Sequence, residues 1–391
     1  LAVLVDLVLL VVLVDHQILE LQNILDILDL LDLLQILNIQ EILDEFRREF
    51  RSLAARGVLL NVTPTLDLAQ TTLDAVAALL SARGQNGYVR RGHGDLHLRN
   101  IVVLDNQPIP FDALEFSERL GTCDVLYDLA FLLMDLVHQG HRTAANHVLN
   151  AYLSGDGQDG SLIGLRALPL FLAVRALVRA MVCCDQVAAA GNADRFLPDA
   201  EAYLDLAAAF LRPAQPALYA VGGLSGTGKT TVARPIAPLL GRQIGAVHLR
   251  SDIERKRLAG IDPMEKLPSD AYSPDRSAAV YEILHRKAGL VLKSGTPAIL
   301  DAVFARPDER QMAEDLAAVL DVPFHGIWLD APEPVRTDRV TVRKNDASDA
   351  DAAVVHQQSG LDPGPIHWTR FNTDLGLDSL TKSILAALKV S

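Results

Sequence analysis

Residues 223–230 read Gly-Leu-Ser-Gly-Thr-Gly-Lys-Thr, a Gly-x4-Gly-Lys-Thr spacing. Glycines at 223, 226 and 228 let successive backbone N–H groups wrap a phosphate, with Ser225, Thr227 and Thr231 in the same loop. Lys229 has the reach for the β- and γ-phosphates of a nucleotide. The Thr230 hydroxyl suits a magnesium ion, and the start of the helix that must follow adds a favourable dipole. The chemistry implied is the binding of ATP with Mg²⁺.

Two acidic positions follow at strand-like ends. Asp252 closes the stretch Arg250-Ser251-Asp252 and stands three residues before Arg255, one helical turn away. A carboxylate there can take the proton of a substrate hydroxyl while the guanidinium holds an anionic group. The alternative for the pair is an N-cap Asp and a surface Arg. Asp301 ends the run Ala298–Leu300 and can order magnesium or its water. Arg336, Arg339 and Arg343 share one helix-like run. Arg339 and Arg343, four apart, can neutralise charge on a transferring phosphoryl group; a solvated basic helix is the other reading.

A second constellation lies upstream, in His93-Gly94-Asp95 followed by Asn100. This His-x-Asp-x4-Asn spacing is that of a protein-kinase catalytic loop. Asp95 would accept or orient the acceptor's hydroxyl proton, and Asn100 and Asp112 would hold magnesium against phosphates. Asp112 is expected on the second strand of a hairpin formed by Ile101–Leu104 and Ile109–Phe111, with 105–108 as the turn. Asp124 and Asp128 precede the apolar run Leu129–Leu133 and are expected to cap that helix and tie it to the loop. His93 and His97 read as packing and hydrogen-bonding residues.

Around the first site, four short apolar runs are separated by helix-length stretches: Ala217–Val221, Ala246–Leu249, Ala298–Leu300 and Phe324–Leu329. That alternation predicts a parallel sheet covered by helices, with ligands at the carboxyl ends of its strands. Pro235 and Pro238 should disturb the helix after the loop. Arg212-Pro213-Ala214-Gln215-Pro216 reads as a linker. The organisation expected is a helical segment over 1–84, a domain over 85–212, a linker over 213–216 and a phosphate-binding domain over 217–391.

His93–Asn100, with FDALEF and DVLYDLAFLLMDL after it, resembles the aminoglycoside phosphotransferase family over roughly 85–212. That resemblance implies a mostly helical, protein-kinase-like large lobe, with Asp95 as base, Asn100 and Asp112 as metal ligands and Asp128 as a structural acid. The first Lys of the chain is Lys229 and the first Gly is Gly57, so a small lobe with a Gly-rich loop and a strand Lys has no counterpart before residue 85. GLSGTGKTT, LRSDIERKR, ILDAVF and the RV-x2-R run resemble the small-molecule P-loop kinases, such as gluconate and shikimate kinases, polynucleotide 5′-kinase and zeta-toxin-like kinases. They imply an α/β P-loop NTPase fold over 217–391, with Asp252 as base, Arg255 as substrate contact and Arg339 or Arg343 as lid arginines. The order of the two halves resembles that of bacterial two-domain proteins.

The 391 residues carry a net charge of −13 and a pI of about 5.3, which argues against a broad basic nucleic-acid surface. Residues 217–391 are near neutral at −1, whereas 1–45 hold nine acids and no base. The first run, Leu1–Val14, contains Asp6 and falls short of the ~20 residues of a membrane span. Polar residues every third position from Asp26 to Asn38 spiral around a helix and fit a single buried face poorly. Residues 1–45 are so monotonous that their written sequence is read as doubtful, and no function is drawn from them. Cys123, Cys183 and Cys184 make no disulfide framework or zinc site, so a cytoplasmic location is expected.

The reading favoured is an ATP- and Mg²⁺-dependent phosphotransferase acting on a hydroxyl of a small molecule at the second site. Two others stand beside it: a polynucleotide 5′-kinase, and a nucleotide-binding switch or scaffold with a degenerate first half.

Overall fold

The computed structural model describes residues 24–115, 121–190, 193–241, 244–342, 347–374 and 376–389. The chain divides into two compact units, Leu1–Pro213 and Ala214–Ser391.

The first unit begins with two helices, α1 (Ile24–Ala55) and α2 (Thr63–Gln85). From Ile39 onward α1 buries Ile39, Leu43, Phe46, Phe50 and Leu53, an alternation of three and four that makes one face. This face lies beyond the polar repeat of Asp26–Asn38, whose side chains lie outside the described residues. No strand precedes Val89 among the described residues.

β1 (Val89–Arg91) pairs antiparallel with β4 (Thr122–Asp124). Between them β2 (Ile101–Leu104) and β3 (Gln107–Pro110) form a hairpin. Its turn is only Asp105-Asn106, both at positive φ (51° and 61°). Asn and Asp tolerate that conformation, which matches the strand twist in two-residue hairpins. Gln107 and Pro108 therefore belong to the strand rather than to the turn. The helices α3 (Val125–His138), α4 (Arg142–Asp156), α5 (Asp159–Gly164), α6 (Leu168–Ala190) and α7 (Ala193–Leu211) complete the unit. α6 packs on both α3 and α7, and Leu170, Phe171, Val174 and Leu177 are wholly buried.

The second unit is a five-stranded parallel sheet with helices on both faces. Its strands are β5 (Leu218–Gly222), β6 (Val247–Arg250), β7 (Ala298–Asp301), β8 (Phe324–Asp330) and β9 (Thr369–Asn372), in the order β6-β7-β5-β8-β9. β5 is buried along its whole length, as a central parallel strand must be. On one face Tyr219, Val221, Ile299, Ile327 and Leu329 pack against α8 (Lys229–Ile236) and α14 (Leu377–Ala387). On the other lie α10 (Pro274–Lys293), over β6 and β7, and α11 (Pro307–Val319), over β8. α9 (Ser251–Ala259) follows β6, and α12 (Glu333–Val342) and α13 (Ala352–Ser359) follow β8. Pro235 sits in the last turn of α8, and a 3-10 turn over Ala237–Leu239 takes over there.

Among the described residues no helix is long and apolar enough to cross a membrane.

Candidate active site

The loop after β5 turns on three glycines at positive φ: Gly223 (144°), Gly226 (85°) and Gly228 (89°). A Cβ on Gly226 would lie 2.6 Å from the Arg336 carbonyl oxygen, and one on Gly223 would lie 2.6 Å from that of Leu329. Only glycine meets both demands. The loop lines a cleft of about 450 Å³, together with Ser251, Asp252, Asp301 and Arg339. Ser225, Gly226, Thr227, Gly228, Lys229, Thr230 and Thr231 all contribute to its wall. Gly223 stands behind them and makes the close turn. The Ser225 N–H donates to Gln358 Oε1 at 2.7 Å, and the Thr227 hydroxyl to the Leu224 carbonyl at 2.8 Å.

Lys229 lies folded back on the loop, with Nζ donating to the carbonyls of Gly223 (2.8 Å) and Leu224 (3.3 Å). Thr230 Oγ1 donates to Asp301 Oδ2 at 2.6 Å. The same oxygen takes a bond from His248 Nε2 at 3.0 Å, and Arg250 Nε lies 4.0 Å away. Asp301 is buried, which alone would raise its pKa. The hydrogen bond and charge of His248, with the charges of Arg250 and Lys229, outweigh burial and hold it at about 2. A hydroxyl beside a firmly ionised carboxylate is an all-oxygen donor set that suits Mg²⁺, which keeps most of its other ligands as water or phosphate.

Asp252 occupies the first turn of α9, not its N-cap, and lines the cleft. Burial pushes its pKa above the ordinary carboxylate value. Arg250 and Lys229 oppose that rise, Asp301 adds to it, and Ser348 hydrogen-bonds the carboxylate. A carboxylate with a raised pKa in a cleft is suited to proton transfer.

Arg255 is not among the residues lining the cleft. Its NH1 donates to the Ala271 carbonyl (2.8 Å) and to Ser277 Oγ (3.2 Å), and the guanidinium lies 4.9 Å from the Tyr272 ring centroid. The i,i+3 spacing puts Asp252 and Arg255 on one side of α9, but the longer Arg side chain turns to the 271–277 segment. Tyr272, which Arg255 covers, lies within electrostatic range of both Asp252 and Arg255.

Arg339 reaches the cleft. It donates to Thr373 Oγ1 (2.8 Å), to the Thr373 carbonyl (2.7 Å) and to the Gly226 carbonyl (3.4 Å). Arg336 is buried, with one nitrogen on Ser359 Oγ (2.7 Å) and another 3.4 Å from the Ser225 carbonyl. It is part of the packing of α12 against the loop rather than of a solvated helix face. Arg343 lies outside the described residues.

In the first unit, the Asp95 loop runs from β1 to β2. Asn100 Nδ2 donates to Asp95 Oδ2 and to the Asp95 carbonyl, both at 3.0 Å. The hydrogen bond from His97 lowers the Asp95 pKa most; burial opposes it and Asn100 assists. Asp128 accepts the N–H groups of His93 and Gly94, each at 2.8 Å. A Cβ on Gly92 would sit 2.5 Å from Asp128 Oδ2, so glycine there lets the carboxylate reach the loop. Asp124 caps α3 through the Leu126 N–H and is clamped by Arg83, with Nε to Oδ2 at 2.5 Å and NH2 to Oδ1 at 2.8 Å. Asp112 is not on a strand. β3 stops at Pro110, and Asp112 is exposed at φ 62° in the following stretch. The early hairpin turn brings the strand to its end before residue 112.

Sequence reasoning did not single out Thr373, Ser348, His248 or Gln358. Thr373 and Ser348 line the cleft, while His248 bonds Asp301 and Gln358 takes the Ser225 N–H. The only local hint was His248, two residues before the Arg250-Ser251-Asp252 run.

Residues 218–361 match the family model described as an AAA domain, and residues 22–162 match the one described as a phosphotransferase enzyme family. The second match reaches well upstream of residue 85. An uncharacterized protein of Mycobacterium tuberculosis (strain H37Rv) is 35% identical over 296 residues, 73% of this chain and 57% of that protein. One from Mycobacterium bovis gives the same figures. The chain thus spans little more than half the length of these curated relatives. Among solved structures, a gluconokinase from Sinorhizobium meliloti 1021 is 19% identical, covering 46% of this chain and 94% of its own, with a TM-score of 0.34. The APS kinase of Mycobacterium tuberculosis in complex with AMPPNP and APS is 18% identical, covering 46% and 99%, with a TM-score of 0.32.

Proposed function

For a chain that carries a phosphotransferase-family region followed by an AAA-domain region, we propose that the second unit is an ATP-dependent phosphotransferase. It moves the γ-phosphoryl group to a hydroxyl of a small molecule. The observation that carries this reading is the position of Asp252. A carboxylate with a raised pKa lines the same cleft as the phosphate loop, Lys229 and Thr230. A protein that only binds nucleotide has no use for a general base there.

The loop N–H groups cradle the phosphates, and Lys229 leaves the Gly223 and Leu224 carbonyls to reach them. Thr230 and Asp301 would hold Mg²⁺, which when bound neutralises charge on the phosphate oxygens. Asp252 takes the acceptor's hydroxyl proton as that oxygen attacks. Arg339, beside Gly226 and Thr373, adds positive charge at the nucleotide end; Arg343 is proposed as its companion. Arg255 holds the segment that borders the site and acts as a positioning residue.

For the first unit, Asp95 is the proposed base, with Asn100 and Asp112 as the proposed metal ligands. Turnover is proposed for the second unit, where the phosphate loop and Asp252 line one cleft.

The test is nucleotide binding followed by turnover in the full chain. Lys229→Ala should lower ATP affinity and abolish ATP consumption. Unchanged consumption in that variant would reject the assignment.

A further inference from the structure

Ser348 hydrogen-bonds the Asp252 carboxylate and lines the cleft beside it. It belongs to the stretch between α12 and α13, far from Asp252 in sequence, so something must hold that stretch against α9.

Its neighbour Asp349 does so. Asp349 Oδ1 lies 3.0 Å from Nζ of Lys256, a wholly buried side chain that also donates to the Pro263 carbonyl at 2.9 Å. Asp349 Oδ2 accepts the Leu267 N–H at 2.9 Å and the Tyr272 hydroxyl at 3.0 Å. Three segments thus converge on one carboxylate: α9, the loop after it and the 3-10 turn Ser269–Tyr272. Ala347, on the other side of Ser348, is buried. A further contact of this stretch, Lys266 Nζ to Asp351 Oδ2 at 3.6 Å, is exposed at both ends and holds little. Lys256 stands one helical turn beyond Asp252 on α9. One rigid element therefore carries both the base and the anchor for the residue that bonds the base.

We propose that Asp349 is a positioning residue for the transfer: held by Lys256, Leu267 and Tyr272, it keeps Ser348 on the Asp252 carboxylate and so sets the direction in which that carboxylate faces the acceptor hydroxyl. The proposal rests on the phosphotransferase reading above. Ser348 takes one lone pair of the carboxylate. Another receives the acceptor's proton as the acceptor oxygen bonds the γ-phosphorus. The bond from that phosphorus to the β,γ-bridging oxygen breaks, and its electron pair leaves with ADP. A carboxylate free to turn about its Cβ–Cγ bond would present the receiving lone pair only part of the time.

The experiment compares the full native chain with Ser348→Ala, with the paired variant Lys256→Met/Asp349→Leu, and with all three substitutions together. Replacing the ion pair as a whole leaves neither partner buried alone and the net charge unchanged; thermal unfolding checks the fold. Each protein receives labelled ATP, Mg²⁺ and a panel of acceptors: glycerol, glucose, gluconate, myo-inositol and an oligonucleotide with a free 5′-hydroxyl. With the acceptor that the native chain labels fastest, Ser348→Ala and the paired variant should each lower kcat by ~10–100-fold, with ATP·Mg²⁺ affinity within ~3-fold. The triple variant should be no slower than the paired one, because Asp349 acts through Ser348. Tyr272→Phe, which removes one donor and no charge, should lower kcat by ~2–5-fold, and Lys266→Met should leave it within ~2-fold. Without acceptor, the carbon-13 resonance of the ionised Asp252 carboxyl, assigned by its loss in Asp252→Asn, should move alike in Ser348→Ala and in the paired variant. Multiplying losses in the triple variant, or native kcat and an unmoved resonance in the paired one, would overturn the role of Asp349 while leaving the phosphotransferase standing. Failure of the native chain to label any acceptor while ATP still binds would instead overturn the phosphotransferase reading, and the role in transfer with it.

Discussion

The Thr230 hydroxyl donates to the Asp301 carboxylate at 2.6 Å, although 71 residues separate the two in sequence. One comes from the start of the helix after the phosphate loop, the other from the end of the neighbouring strand. β5 and β7 pair in register, Val221 with Asp301, and this brings them together. Asp301→Asn keeps a polar group of the same shape but removes the charge. It should weaken Mg²⁺-dependent nucleotide binding by ~10–100-fold and leave binding in EDTA unchanged. Calorimetric titration with and without Mg²⁺ checks this. Equal losses in both conditions would mean that Asp301 serves the loop's shape rather than a cation.

The phosphate loop has no room for a side chain at Gly226, where a Cβ would meet the Arg336 carbonyl at 2.6 Å with φ at 85°. Gly226→Ala should cost ~1–3 kcal/mol in stability and abolish ATP binding. Thermal unfolding and nucleotide titration report the two effects separately.

Asp252 carries a pH signature. Its folded-state pKa is raised, so its ionisation opposes folding. Its contribution to stability is full below the ordinary carboxylate pKa and is lost as pH rises through the folded value. Asp252→Asn should therefore raise Tm above pH 7 and change little near pH 3. The acid limb of kcat/KM should lie above the ordinary Asp range, because the base must be ionised to act. Tm measured across pH in the two proteins, with the rate profile of the native one, tests both statements.

In the first unit the buried pair Arg83–Asp124 joins α2 to the cap of α3, and Arg83 also donates to the Gly160 carbonyl at 2.7 Å. Arg83→Met leaves Asp124 buried without its partner and should cost ~3–5 kcal/mol. Hydrogen exchange over Val89–Arg91 and α3 should accelerate accordingly. Unchanged protection there would show that the cap holds without the guanidinium.

What could be read from the sequence depended on how local the cause was. The phosphate loop is one contiguous turn whose glycines answer local demands, so its spacing alone located it. The four buried strands were visible as apolar runs, within a residue or so at each end. β9 (Thr369–Asn372) was not, because it is an edge strand of exposed and polar residues with no apolar alternation. Asp128 was legible as a tie to the loop, since a short acid at a helix start has few other roles. The partners of Arg255 were not legible, because spacing fixes the helix face but not what lies opposite. Ala271, Tyr272 and Ser277, which take its guanidinium, come from a segment the motif does not include. Asp112 was misplaced because the two-residue turn at Asp105-Asn106 ends the hairpin sooner than composition suggested.

The most direct test of the central claim compares native protein with Asp252→Asn under labelled ATP and a saturating hydroxyl acceptor. The account predicts that the variant binds ATP·Mg²⁺ with unchanged affinity, while transfer of label to the acceptor falls by ~10²–10⁴-fold. Transfer at the native rate in Asp252→Asn would contradict it.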